Sequence, residues 1–277
     1  MAPHALRFVL AGLIGLSSFC ATAEESRFGR NAVSEIRDRI QMRHCDGAVA
    51  DLKTGLKKGF VEVALLAGSM YDNGICVKRD WNRAVPFYIQ AWQGGMKEAA
   101  DRLAAGYAAP ENGADVAAAL WWGHRGNKDV TRAKGMPDCA VSPAAADDMD
   151  RFVAELQTWP QARLAVCNYL IGVMSMLSAE IGYPTLAAEY NVGGDVSLRF
   201  LPAVPQIDLR LGKVREYPLF GLIDGDRIRE RGARSAGGFE GAARGVADRA
   251  LRRYPRPDGI SPDTLVTTDW HFGIRFE

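Results

Sequence analysis

Of the five cysteines in this chain, Cys45, Cys76, Cys139 and Cys167 lie beyond the first 23 residues, and by type they are the side chains best suited to chemistry. No two stand at C-x-x-C spacing, so the paired thiolates of a structural zinc site are missing. An even number of thiols points to disulfides rather than buried free cysteines in an oxidising compartment, with three connectivities open. His44, His124 and His271 are scattered, none at helical ligand spacing from another, and each reads as exposed or locally hydrogen-bonded. Ser235 sits in Ala233-Arg234-Ser235-Ala236-Gly237, which lacks the first glycine of a G-x-S-x-G nucleophile elbow. It reads as a loop serine. S-x-x-K, H-E-x-x-H and phosphate-loop patterns do not occur. Asp224 and Asp226 flank Gly225, an arrangement that an ordinary turn explains without a cation. Nine arginines between Arg227 and Arg256 stand against Glu230, Glu240 and Asp248, and read as a solvated face before a basic patch for an acidic partner. Residue type and spacing therefore predict no catalytic group, no metal site and no cofactor. The chain is expected to bind rather than to react.

The first 23 residues bear on where this happens. Arg7, an apolar run over 8–16, and Ala21-Thr22-Ala23 ahead of Glu24-Glu25 compose a basic start, a short apolar middle and an A-x-A cleavage site. That is the pattern of a secretory signal peptide, and the run is short for a bilayer span. Cys20 is not expected to carry a lipid, because Phe19 stands where a small residue is needed. Residues 1–23 are expected to be removed on export. A formal net charge of +1 and 48% hydrophobic residues give no argument for nucleic acid or an acidic membrane surface. The most apolar later stretch, 164–177, is interrupted by Asn168 and Gly172 and reads as a buried helix. No membrane segment is expected once the signal is gone.

The elements that must position these residues announce themselves as a repeat. Ala64, Ala67, Gly68 and Tyr71, then Gly74 and Asp80, lead into Ala84, Phe87, Tyr88 and Gly95. Further on, Ala100, Leu103, Ala104 and Tyr107 lead into Ala118, Trp121, Trp122 and Gly126. Small residues at helical spacing let two helices approach, and an aromatic closes the gap to the next pair. Such a hairpin cannot bury its apolar face alone, so it implies stacked neighbours. The tryptophans and tyrosines accordingly read as packing residues. The pattern resembles the Sel-one-like branch of the tetratricopeptide-type repeats, and this resemblance implies that residues 31–126 hold other proteins. Gly59, Phe60 and Glu62 match Gly95, Met96 and Glu98 at one offset, with Ala48 under Ala84. That register puts Cys45 and Cys76 in the inter-helix loops of successive repeats. It predicts a Cys45–Cys76 bridge and leaves Cys139 with Cys167.

Helices are predicted over 31–44 and 48–58, with 24–30 frayed. Asp80 is the expected N-cap of the next-but-one helix, Gly94-Gly95 its stop, and Pro110-Glu111-Asn112-Gly113 a turn. Residues 127–182 form a polar connector over 127–137 and two capping helices. The first is expected to start at Ser142-Pro143 and turn Met149, Phe152, Val153 and Leu156 inward; the second covers 161–181. Beyond Tyr183 the period changes. Val196, Leu198 and Phe200, then Ile207, Leu209 and Leu211, and finally Trp270, Phe272, Ile274 and Phe276 alternate as strands. A further strand is expected near Ile228 and Gly232-Ala233, followed by a helix over 239–253.

Tyr183-Pro184, Ala187 and Val192-Gly193-Gly194-Asp195 lead into the strand that ends at Phe200. With the helix carrying Ala242-Ala243, Val246, Ala250 and Leu251, the exit Arg252 to Pro257 and the last strand, they look like a TonB C-terminal domain over 183–277. The resemblance implies a small α+β module that accepts a partner strand on its edge, at Trp270, Phe272, Ile274 and Phe276. An internal strand with core aromatics suits the same residues equally. Energy-transducing members carry an uncleaved membrane helix and a proline-rich spacer, where this chain has a cleavable-looking signal and helical repeats, with extra sequence over 202–222. The expected whole is a mainly α repeat array joined to a small C-terminal α+β domain. Its expected place is the periplasm of a Gram-negative-type envelope, as an adaptor between envelope proteins. A transducer to outer-membrane transporters and a wall-modifying enzyme are the alternatives.

Overall fold

A computed structural model describes residues 26–126, 133–184, 187, 192–216 and 225–273, without the side chains of 215–216 and 225–237. The expected signal over 1–23, residues 127–132 of the connector, and Ile274 and Phe276 of the last strand lie outside the described residues. Nine helices and a three-stranded antiparallel sheet are found among the described residues.

Helix α1 (Arg27–Gln41) begins earlier than periodicity suggests. The Ser26 hydroxyl accepts from the Gly29 amide at 2.9 Å, an N-cap that organises residues expected to fray. Helix α2 (Cys45–Lys57) starts at Cys45 itself, so this cysteine opens a helix instead of sitting in a loop. Helix α3 (Val61–Asn73) ends at Gly74, whose φ of 68° places it in the left-handed region that closes helices. Asp80 caps α4 (Trp81–Gln93) by accepting from the Arg83 amide, and Asp115 caps α6 (Val116–Gly123) through the Ala118 amide. Between them run α5 (Glu98–Ala108) and a single 3-10 turn at Pro110–Asn112.

Consecutive helices pair, α1 with α2, α3 with α4, α5 with α6. Gly68 and Gly106 are among the glycines that close approach needs in this stack. A Cβ on Gly68 would come within 2.5 Å of the Tyr88 ring, and one on Gly106 within 2.0 Å of the Trp81 ring. Ala67, Ala84, Tyr88 and Leu103 are fully buried, while Tyr71, Tyr107, Trp121 and Trp122 are half-buried. Tyr71 stacks on Phe87 at 5.7 Å, and Trp122 meets Trp92 edge to face at 5.2 Å. Disulfides join Cys45 to Cys76 and Cys139 to Cys167.

Ser142-Pro143 does not open a helix. Both the amide and the hydroxyl of Ser142 donate to Glu155, at 2.8 and 2.6 Å, which holds this segment as a turn against helix α7 (Met149–Gln157). Asp148 caps that helix in its place. Phe152 and Leu156 turn inward, but Met149 at the first helical position is 49% exposed, contrary to expectation. Helix α8 (Gln161–Glu180) is long and apolar enough to cross a membrane, yet its span from Tyr169 to Leu177 is buried within the protein.

The sheet has the order β2-β1-β3, with β1 (Val192–Leu201) at its centre, β2 (Gln206–Glu216) and β3 (Val266–Phe272) on either side. Leu198 lies opposite Leu209 on one flank and Thr268 on the other. Helix α9 (Gly225–Arg253) covers one face with Phe239, Ala243, Val246, Ala247 and Ala250. The strand expected near Ile228 is instead the first part of α9. Arg, Glu and Ala there are helix formers, and an interior glycine costs only about 1 kcal/mol, which a 29-residue helix absorbs. A single buried cluster runs from Ala104 and Leu120 through Phe152 and Leu170 to Phe200, Phe239 and Phe272. The sheet module and the last helical hairpin therefore share one core.

Candidate functional site: a charged concave groove

Helices α1, α3 and α5 turn one side toward the ends of α8 and α9, and the space between them is a groove. One part, of about 690 Å³, is bordered by Glu62, Ser69, Arg102 and Glu180 among others; the adjoining part, of about 520 Å³, by Asp72, Arg79, Glu111 and Arg253. Asn73, Glu180 and Arg249 border both, so the two parts adjoin at these residues.

Arg253 is the centre of the smaller part. Its side chain is only 14% exposed; Nε bonds Glu111 Oε1 at 2.8 Å, and Nη2 lies 3.4 Å from Asp72 Oδ1. Arg79 completes this cluster, donating to the Asp72 main-chain oxygen at 2.8 Å, to Asn112 Oδ1 at 2.8 Å and to Glu111 at 3.2 Å. Burial of Asp72 raises its carboxyl above the ordinary value, and Arg253, Arg79 and Arg102 only partly offset this. Burial by itself pushes the Arg253 guanidinium down, but the surrounding Tyr254, Asp72 and Glu111 more than reverse it, so the residue stays cationic. Tyr88 lies under Asp72, with its hydroxyl 3.5 Å from Oδ2; burial, then that carboxylate, raises the phenol.

In the larger part, Arg249 bonds Glu180 at 2.8 Å, and Arg102 donates to the Ala179 carbonyl at 2.7 Å with its Nη1 4.0 Å from Glu180. The buried Nε–H of Arg102 has no acceptor among the described residues.

Sequence reasoning missed this site. Arg249 and Arg253 belong to the arginine-rich stretch read as a solvated face, yet Arg249 pairs with Glu180 at the end of α8, and Arg253 reaches Asp72 and Glu111 in the repeat region. Their i, i+4 spacing on α9 was a visible signal, but nothing local named Glu180, Asp72 or Glu111 as partners. Arg244 pairs with Glu240 along the exposed helix, and Arg256 donates to the Ala203 carbonyl at 2.8 Å. Ser235, expected in a loop, lies within α9, because the helix-forming residues around it carry the helix through this stretch; its side chain and those of Asp226 to Arg234 are not described, and Asp224 lies outside the described residues.

The sequence-derived edge strand is distributed differently. β3 is a terminal strand of the sheet, but Phe272 is 6% exposed and packs on Phe239 at 4.6 Å and Tyr183 at 5.7 Å. Trp270 is half-buried against the same core. Part of the outer edge of β3 is occupied by the chain itself, since Thr267 exchanges main-chain hydrogen bonds with Lys134 at 3.0 and 2.8 Å. The histidines do not meet. His44 precedes α2, the ring of His124 lies against Phe152, and His271 bonds Asp195 at 2.8 Å on the surface. Among the described residues no three His, Cys, Asp or Glu side chains form a metal-holding group.

These features define a protein of stacked helical hairpins that shares its core with a small sheet-and-helix module. No family model, curated protein or solved structure matches the chain.

Proposed function

We propose that the protein is an exported, periplasmic adaptor that holds a segment of a partner polypeptide along the groove, with the sheet edge as a second, strand-adding contact. The observation that carries this reading is the two-part groove bordered by fixed charges. Buried ion pairs contribute little net stability, so a cluster such as Arg253, Asp72 and Glu111 is poorly accounted for by folding alone. It does present donors and acceptors at set positions, which is what recognition of an extended main chain requires. The resemblance to Sel-one-like repeats and to TonB C-terminal domains supports a binding role. Two disulfides fit an oxidising compartment, and the signal-like residues 1–23 support export.

A photo-crosslinking residue at Ser69, on the groove, is expected to trap a discrete partner in envelope extracts, whereas the same residue at exposed Lys53 is expected to trap none. Equal capture from both positions, or none from Ser69, would sink the assignment.

A further inference from the structure

The two outer edges of the sheet differ. That of β3 is partly covered where Thr267 and Lys134 exchange main-chain hydrogen bonds. That of β2 is open: among the described residues its main chain is paired to β1 alone. An edge strand leaves alternate N–H and C=O groups pointing away from the sheet, a template for another strand. Two features bound the usable stretch. Pro205 precedes the strand, and Gly212 and Lys213 together oppose Asp195 as a bulge, where regular pairing ends. Gln206 to Leu211 remain as a regular edge. Leu211, on the face that carries Ile207 and the buried Leu209, is 37% exposed at the rim of the core. Arg210 is exposed on the opposite face and makes no ion pair among the described residues.

Symmetry restricts what this edge can pair with. A twofold axis normal to the sheet pairs a strand antiparallel with its own copy, and residues opposite each other share a face. Each residue then meets itself or one an even number of positions away. Centred on Asp208 or on Arg210, such a pairing sets like charges face to face, which is unfavourable. Centred on Ile207 or Leu211, it runs into Pro205 or the bulge almost at once. Centred on Leu209, it sets Asp208 opposite Arg210 twice, Ile207 opposite Leu211 twice, and Leu209 opposite itself, all within the regular stretch. We propose that the β2 edge docks a second copy of this chain in that register, joining the two three-stranded sheets edge to edge. On one face the charges alternate in sign across the contact; on the other, Ile207 of the copy covers the exposed Leu211. The complementarity is internal to β2, which a symmetric contact requires and a foreign strand does not. The strand-adding contact of the adaptor reading belongs to β3, so the two readings use different edges and fail separately.

Sedimentation velocity of the exported chain, from about 1 to about 100 μM, reads the association. A dimer that grows with concentration is expected. Arg210→Asp should weaken it about ten-fold or more, because two cross-strand pairs turn repulsive together. Asp208→Arg should do the same with arginines. Both positions lie on the face opposite buried Leu209, and far-ultraviolet circular dichroism checks that each variant is folded. The two single variants, mixed, should associate as tightly as the wild type, since every 208–210 pair is then opposite in charge. If either single variant does not fold, the double variant Asp208→Arg/Arg210→Asp takes its place and should dimerise like the wild type. Residues that only keep the strand in shape would give no such rescue. A chain monomeric throughout, a dimer indifferent to Arg210→Asp, or folded variants without rescue overturns the proposal. A photo-crosslinking residue at exposed Lys213, which this register places beside Pro205 of the copy, should yield the dimer mass in envelope extracts. A product of any other mass would assign the edge to a different protein and overturn self-pairing.

Discussion

Asp72 is the residue whose environment is most informative about the groove. Its carboxyl is raised by burial despite three arginines, so the folded chain binds this proton more tightly than the unfolded chain does. A carboxyl raised on folding contributes less stability once it ionises: its contribution falls as pH rises from the ordinary value of 3.8 through the raised folded value. Asp72→Asn lacks that slope. Thermal unfolding from about pH 4 to about pH 7 should therefore show wild-type stability declining relative to the variant as pH rises. A difference that stays level, or grows in favour of the wild type, would mean that the arginines outweigh burial. Arg253→Met should be costlier, because it removes the cation bonded to both the Asp72 and Glu111 carboxylates and leaves only Arg79 beside them. A loss of about 3 kcal/mol is expected by denaturant titration, in the range for breaking a buried pair from one side.

At the scale of elements, the hairpins depend on contacts where no side chain is tolerated. Gly68→Ala would drive a methyl into the ring of Tyr88, and Gly106→Ala into that of Trp81. Each should destabilise by about 1–3 kcal/mol, the usual penalty of overpacking, while Gly59→Ala, with open space but a φ of 77°, tests backbone strain alone. The Cys45–Cys76 bridge ties the start of α2 to the loop after α3 across a sequence separation of 31. Its removal by paired serine substitution should cost about 2–4 kcal/mol, measured as a lower denaturation midpoint. The register of the repeat foretold this pairing because equivalent positions of stacked hairpins lie side by side. Helix starts were less legible. Ser26 and Asp148 act through single capping hydrogen bonds that weak periodicity does not disclose.

The whole molecule is held together by contacts between its two kinds of structure. Tyr254 reaches the Ala105 carbonyl, Gly172 lets its ring approach α8, and Arg249 pairs with Glu180. With one continuous cluster from Ala104 to Phe272, the sheet module and the adjoining hairpins are expected to unfold together. Calorimetry of the exported chain should give one cooperative transition for this part. A fragment ending at residue 182 should lose it, because the buried face of α8 would be left open. Two well-separated transitions, or a fragment as stable as the whole, would contradict a shared core. The same docking builds the groove, so loss of the module should also abolish crosslinking from Ser69.

Local pattern was enough to determine most of the elements this chain makes. The small-residue and aromatic spacing specified hairpins, because helical period and close approach are properties of a few neighbouring residues. Alternation likewise specified the strands of Val196 to Phe200 and Ile207 to Leu211, and the cysteines their partners through the register. The same pattern failed near Ile228, where helix-forming arginines and alanines outweighed the glycines taken for a strand and turn. Tertiary structure alone decided the site. Arg253 and Asp72 stand 181 positions apart, Tyr254 and Ala105 149, and Thr267 and Lys134 meet across the edge of the sheet. A sequence period reveals which face of an element is apolar. It does not reveal which distant face will cover it, and here that choice created the groove and the shared core.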